Sequence, residues 1–156
     1  MTADIAPAPA PKMRDTTINY STARPMPRAS NDWYVEPRES VEALLQAERF
    51  SGASWDPACG IGTIPKAMFE AGLDCYGSDI ADRGYESSVL HDFLNDDPHR
   101  YYDGVANIVS NPPFALARQF VDKALTIAGH KVAMLLPITF LEGERRAAWL
   151  ATTPLA

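Results

Sequence analysis

Two loops constrain this chain more than any other feature: Asp56-Pro57-Ala58-Cys59-Gly60-Ile61-Gly62-Thr63, and later Asn111-Pro112-Pro113-Phe114. Each follows a short run that reads as a strand, and each leads into residues at helical spacing. A chain that repeats strand, loop and helix builds a largely parallel sheet, because each helix carries the chain back to start the next strand.

Val41, Leu44 and Leu45 have helical spacing behind Ser40, which reads as an N-cap for a helix running to about Phe50. A short strand should end at Asp56. Thr63 then reads as the cap of a second helix, with Pro65 in its first turn, Ala67 and Met68 inward and Gly72 as its stop. Strands are expected over 74–80, 89–94, 105–110 and 131–136, with 89–94 weakly signalled and 105–110 apolar enough for the interior of a parallel sheet. Between the last two, Leu116, Phe120, Val121, Ala124 and Ile127 line one helical face that Gly129 ends. A final helix is expected over 142–150. The result is an α/β sheet with right-handed crossovers.

The chain has 156 residues, of which 46% are hydrophobic, enough for one domain with a real core. No apolar run approaches the roughly 20 residues that would span a bilayer. Residues 1–11 lack the charged start and apolar block of a signal peptide, so a cytoplasmic protein without a membrane partner is expected. Residues 1–30 hold five prolines, six alanines, one aromatic and no leucine. Such a segment cannot offset its ordering entropy by burial and reads as a disordered tail ahead of a folded domain over 31–156. The net charge is −6, yet the tail carries Lys12, Arg14, Arg24 and Arg28 against Asp4 and Asp15, so the domain itself is strongly acidic. That weighs against tight binding of nucleic acid by this chain alone, since such affinity rests on phosphate neutralisation. Cys59 and Cys75 belong to no disulfide framework, and His91, His99 and His130 are too dispersed for a metal site.

In an open parallel sheet, ligands sit at the carboxyl ends of the strands near the point where strand order reverses. Gly60 and Gly62 clear side chains from such a position, and the helix that follows offers free N–H groups. Ile64 and Pro65 stand where a dinucleotide fingerprint would need its third glycine, which favours a nucleoside with a small polar tail over a pyrophosphate. Asp79, at the end of the second strand, is placed to accept hydrogen bonds from ribose hydroxyls. This segment resembles the cofactor motif of S-adenosylmethionine-dependent methyltransferases, in the amino-methylating branch with Asp-Pro-x-Cys-Gly-x-Gly. The resemblance implies that Asp56, Pro57, Ala58 and the Cys59–Gly62 backbone face the methionine part of S-adenosyl-L-methionine. Asp79 and Ile80 would hold its ribose and flank its adenine, with Asp92 on the adenine amine and Phe93 stacking nearby. Tyr34-Val35-Glu36-Pro37 resembles the segment that closes over the methionine end, which brings in Tyr34 and Pro37.

In the second loop, two consecutive prolines stiffen the backbone and remove two N–H donors. An exocyclic amine on an aromatic ring is a poor nucleophile because its lone pair is delocalised. Acceptors on the Asn111 side chain and the Pro112 carbonyl would bind both its hydrogens and push the nitrogen toward tetrahedral geometry, while Pro113 stiffens the turn and Phe114 stacks on the ring. Asn-Pro-Pro-Phe looks like the catalytic motif of N6-adenine methyltransferases, and the run from Asp32 to Leu150 reads most like the small phage or prophage-type DNA enzymes. Related loops occur in methylases of RNA bases and of protein glutamine amides. The resemblance implies a Rossmann-like class I methyltransferase, a mostly parallel sheet with helices on both faces, acting on DNA, with RNA as the alternative. That family's sheet has seven strands and five are readable here. A missing C-terminal segment or a protein partner completing the sheet is therefore expected, and an inactive cofactor-binding fragment or subunit is the alternative from another class.

Overall fold

The computed structural model describes residues 34–98 and 104–155, so the 1–30 segment and His99 lie outside the described residues. Its elements are α1 (Arg38–Ala47), β1 (Ser54–Asp56), α2 (Thr63–Glu70), β2 (Cys75–Asp79), β3 (Ser88–Leu90), β4 (Asn107–Ser110), α3 (Ala117–Ile127), β5 (Lys131–Met134) and α4 (Glu144–Leu150). The five strands pair in the order β3-β2-β1-β4-β5, every pair parallel. This is the α/β sheet expected from the strand, loop and helix repeat, in the Rossmann-like arrangement that the resemblance implied. The chain builds outward from β1 to β3, then returns to the other side of β1 for β4 and β5, so the reversal falls between β1 and β4.

Alternate residues of a strand face opposite sides of its sheet, and β4 divides the core in that way. Val109 packs with Val41, Phe50, Ile64, Ala67 and Met68, the side covered by α1 and α2. Ile108 packs with Trp55, Phe93, Val105, Phe120 and Ala124, the side covered by α3. Helices therefore lie on both faces. Trp55 is fully buried at the centre of β1, where its Nε1 donates to Ser78 Oγ at 2.9 Å and Phe93 meets it edge-on at 5.3 Å.

Several expected boundaries moved. Ser40 sits inside the first turn of α1, and the capping position belongs to Pro37, whose carbonyl accepts the Ser40 N–H. The helix ends at Ala47, which frees Phe50 to turn into the core. Thr63 is the first helical residue of α2 rather than its cap; Gly62 takes that place in the left-handed region at φ 82°. The third strand covers Ser88–Leu90 instead of 89–94, because the Asp92 carboxylate draws in the Leu94 and Asn95 N–H groups and turns the chain. Leu116 is exposed in a 3-10 turn before α3, and Ala117 is buried in its place. Among the described residues, no helix is long and apolar enough to cross a membrane.

Replacing Trp55 with Phe leaves Ser78 without its buried donor and opens space between the sheet and α3. A loss of about 2–4 kcal/mol is expected from the cavity and the orphaned hydroxyl together, read as the shift in urea midpoint followed by far-UV circular dichroism.

Candidate functional site

The carboxyl ends of β2, β1 and β4 are joined by side chains where the strand ladders stop. Ser110 Oγ, the last residue of β4, donates to Asp56 Oδ1 at 2.7 Å, and the Ala58 N–H reaches the same oxygen at 3.2 Å. Asp79 at the end of β2 accepts the Gly60 N–H on Oδ2 at 3.0 Å and the Ala81 N–H on Oδ1 at 3.0 Å. Arg83 Nε stands 3.4 Å from Asp79 Oδ1, with both side chains largely buried. The glycine loop is thus pulled onto β2 rather than left as a free turn.

In front of these ends lies a shallow cleft open to solvent. The first loop supplies Pro57 and Ala58, the end of β2 supplies Asp79 and Ile80, the turn after β3 supplies Asp92 and Phe93, and the second loop supplies Asn111 and Pro113. The two loops, far apart in sequence, therefore wall one cavity. Asp92 holds its own turn, and its hydrogen bonds, led by that from the Asn95 side chain, keep its carboxyl below the ordinary range. Phe93 is only 2% exposed, wedged between Trp55 and Phe120, so it meets the cleft from within the core.

Other residues singled out in the sequence sit beside the cleft rather than on its wall. Tyr34 stacks on Phe114 with ring centroids 6.0 Å apart and planes 14° from parallel, both rings partly exposed. Asn111 Nδ2 donates to the Tyr34 carbonyl at 2.8 Å and to Glu36 Oε2 at 3.2 Å. Pro37 caps α1, and Pro112 is fully buried. Cys59 faces Ser88 Oγ at 3.2 Å, and burial pushes its thiol up to about 12. Gly62 lies against a neighbour not foreseen, since a Cβ there would meet the Tyr85 ring at 2.6 Å. The same ring would stand 2.9 Å from a Cβ on Gly77 in β2. Sequence reading also missed Arg83, His91, Leu94, Leu116 and Phe120 on the cleft wall. For Arg83 the available signal was its place four residues after Asp79, one helical turn or tight loop away.

Asp56 is the most unusual group. It is 1% exposed, and its Oδ2 has no hydrogen-bond partner among the described residues. Loss of hydration, reinforced by the nearby charges of Glu36 and Asp79, raises its carboxyl to about 8 despite the Ser110 and Ala58 hydrogen bonds.

No protein-family model matches the chain, and no curated protein does. Among solved structures it is similar to an rRNA methylase from Streptococcus thermophilus, at 16% identity over 80% of this chain and 83% of that one. The TM-score is 0.47, a likeness too slight to carry an argument.

The folded carboxyl of Asp56 titrates near 8, while an unfolded aspartate titrates near ~3.9. Between those values the folded state keeps a proton that the unfolded chain has released. The resulting stability is complete below the unfolded value and is lost as pH rises through the folded one. Asp56→Asn should abolish this part of the pH dependence. Wild type should lose roughly 10–20 °C more in melting temperature than the variant between pH 5 and pH 8.5, and parallel melting curves would contradict the assignment.

Proposed function

We propose that this chain uses S-adenosyl-L-methionine to methylate an exocyclic amine, with adenine N6 in DNA as the leading substrate. The observation that carries the reading is that the glycine loop and the Asn111–Phe114 loop wall the same cleft at the point where strand order reverses. Asp79 and Ile80 on the cleft wall fit the ribose and adenine of this cofactor, with Asp92 and Phe93 beyond. Asp56 is 1% exposed and not on that wall, and its buried, unpartnered Oδ2 would serve as negative charge toward the cationic methionine end. Bound there, the cofactor would supply an electrophilic methyl group on a positively charged sulfur.

The chain's own work is positioning and electrostatics. Asn111 offers an acceptor to the amine's hydrogens, and Phe114, partly exposed beside the cleft, offers a face to a planar ring. Asp56 supplies negative charge without standing as a base to the amine, whose surplus proton can leave to solvent. In duplex DNA the adenine would have to leave the stack to enter.

The test is nucleoside mass spectrometry on DNA from cells that lack adenine methylation and express this chain. N6-methyladenine is expected with wild type and a drop of roughly 100-fold with Asn111→Ala. A methylated base in RNA or a methylated glutamine instead would move the substrate assignment; no product from soluble protein would reject it. Calorimetry gives an independent check on Asp56. Pairing its carboxylate with the cofactor's cationic end should release up to about one proton per site near pH 7, seen as a binding enthalpy that changes with the buffer's ionisation enthalpy and ceases to do so in Asp56→Asn.

A further inference from the structure

We infer that Glu36 is a positioning residue that decides which end of the Asn111 amide faces the cleft, an assignment that rests on the amine-methylation reading above. A primary amide has a donor end and an acceptor end of nearly the same shape, and only its surroundings choose between them. Here the nitrogen end is held twice: Nδ2 donates to the Tyr34 carbonyl at 2.8 Å and to Glu36 Oε2 at 3.2 Å. Both partners are acceptors. Turning the amide over would set Oδ1 against a carbonyl and a carboxylate oxygen, an unfavourable contact at a partly buried position. The nitrogen is thereby committed to the 34–36 segment, and Oδ1 is left as the end available to the cleft that Asn111 lines.

That orientation is the one an amine requires, since its hydrogens need an acceptor and a reversed amide would offer them a donor. Glu36 also accounts for asparagine rather than aspartate at position 111. A carboxylate there would face both Glu36 and the Tyr34 carbonyl with nothing to donate. The stacked Tyr34 and Phe114 rings hold the same two segments together, so the amide is fixed by a contact between the residues ahead of α1 and the loop after β4. Glu36 acts through Asn111 and is not assigned to touch the amine.

The experiment compares four variants by turnover on an adenine-containing substrate and by the side-chain amide signals of Asn111 in ¹⁵N-labelled protein. Glu36→Met removes the acceptor at similar size and should lower kcat roughly 10- to 100-fold, with both KM values little changed. Glu36→Gln keeps an acceptor and should stay near wild type. Asn111→Asp should fall as far as Glu36→Met, and adding Glu36→Gln to it should recover part of the loss, because a glutamine can turn its amide to donate to the new carboxylate. Wild-type kcat in Glu36→Met, or no gain in the double variant over Asn111→Asp, overturns the assignment. If wild type methylates no amine, the methylation reading fails, and the amide signals still decide the positioning. A shifted, slowly exchanging pair that collapses in Glu36→Met upholds it, whereas a pair already at solvent-exposed positions in wild type overturns it.

Discussion

The buried hydrogen bond from Ser110 to Asp56 is the contact on which the rest of the site depends. It joins the last residue of β4 to the last residue of β1, at the gap where the order of strands reverses. Parallel strands diverge after such a gap because their loops leave in different directions. Here a side chain continues the attachment one step beyond the ladder. Asp79 does the same for β2 through the Gly60 N–H, and the Cys59 N–H bonds the Ser78 carbonyl at 2.9 Å. The glycine loop and the Asn-Pro-Pro-Phe loop are therefore anchored to one another through their strands, not merely neighbours.

Burial explains the protonation of Asp56, against the pull of that same hydrogen bond. A single hydroxyl donor and one N–H are too few to hold an ionised carboxylate away from water, and two further acids stand close by. Until a cation arrives, the proton is the cheapest neutraliser. Charge state and ligand state at this position are consequently one equilibrium.

The order of elements could be read from the sequence because it follows from local patterns: apolar runs for strands, spacing of three and four for helices, and glycine or proline where the chain turns. What failed depended on finer competition. Ser40 and Thr63 have good capping chemistry, yet Pro37 and Gly62 hold the backbone angles that start each helix, leaving both hydroxyl residues inside. The third strand was misplaced because Phe93 and Leu94 extend its short apolar run in the sequence, whereas the side chain of Asp92 turns the chain and ends the strand at Leu90. Glu36 was visible only as part of a string, since its partner lies 75 residues away and no periodicity reports a contact at that range. Arg83 was missed for a different reason: proximity to Asp79 becomes an ion pair only after the 80–83 turn has folded.

Glycines in a loop of this kind are usually credited with making room for a ligand, and Tyr85 shows that one of these makes room for the protein. Its ring occupies the space that side chains on Gly62 and Gly77 would fill, and Lys66 sits 5.1 Å from its centre. Tyr85 belongs to the same short stretch as Arg83, which stands on the cleft wall beside Asp79. Size at positions 62, 77 and 85 is thus coupled through one ring, while Cys59 also crowds Gly77 and the positive φ of Gly62 favours glycine by itself. A larger residue at either glycine would expel the ring and shift the wall with it, so drift at these three positions has to be concerted.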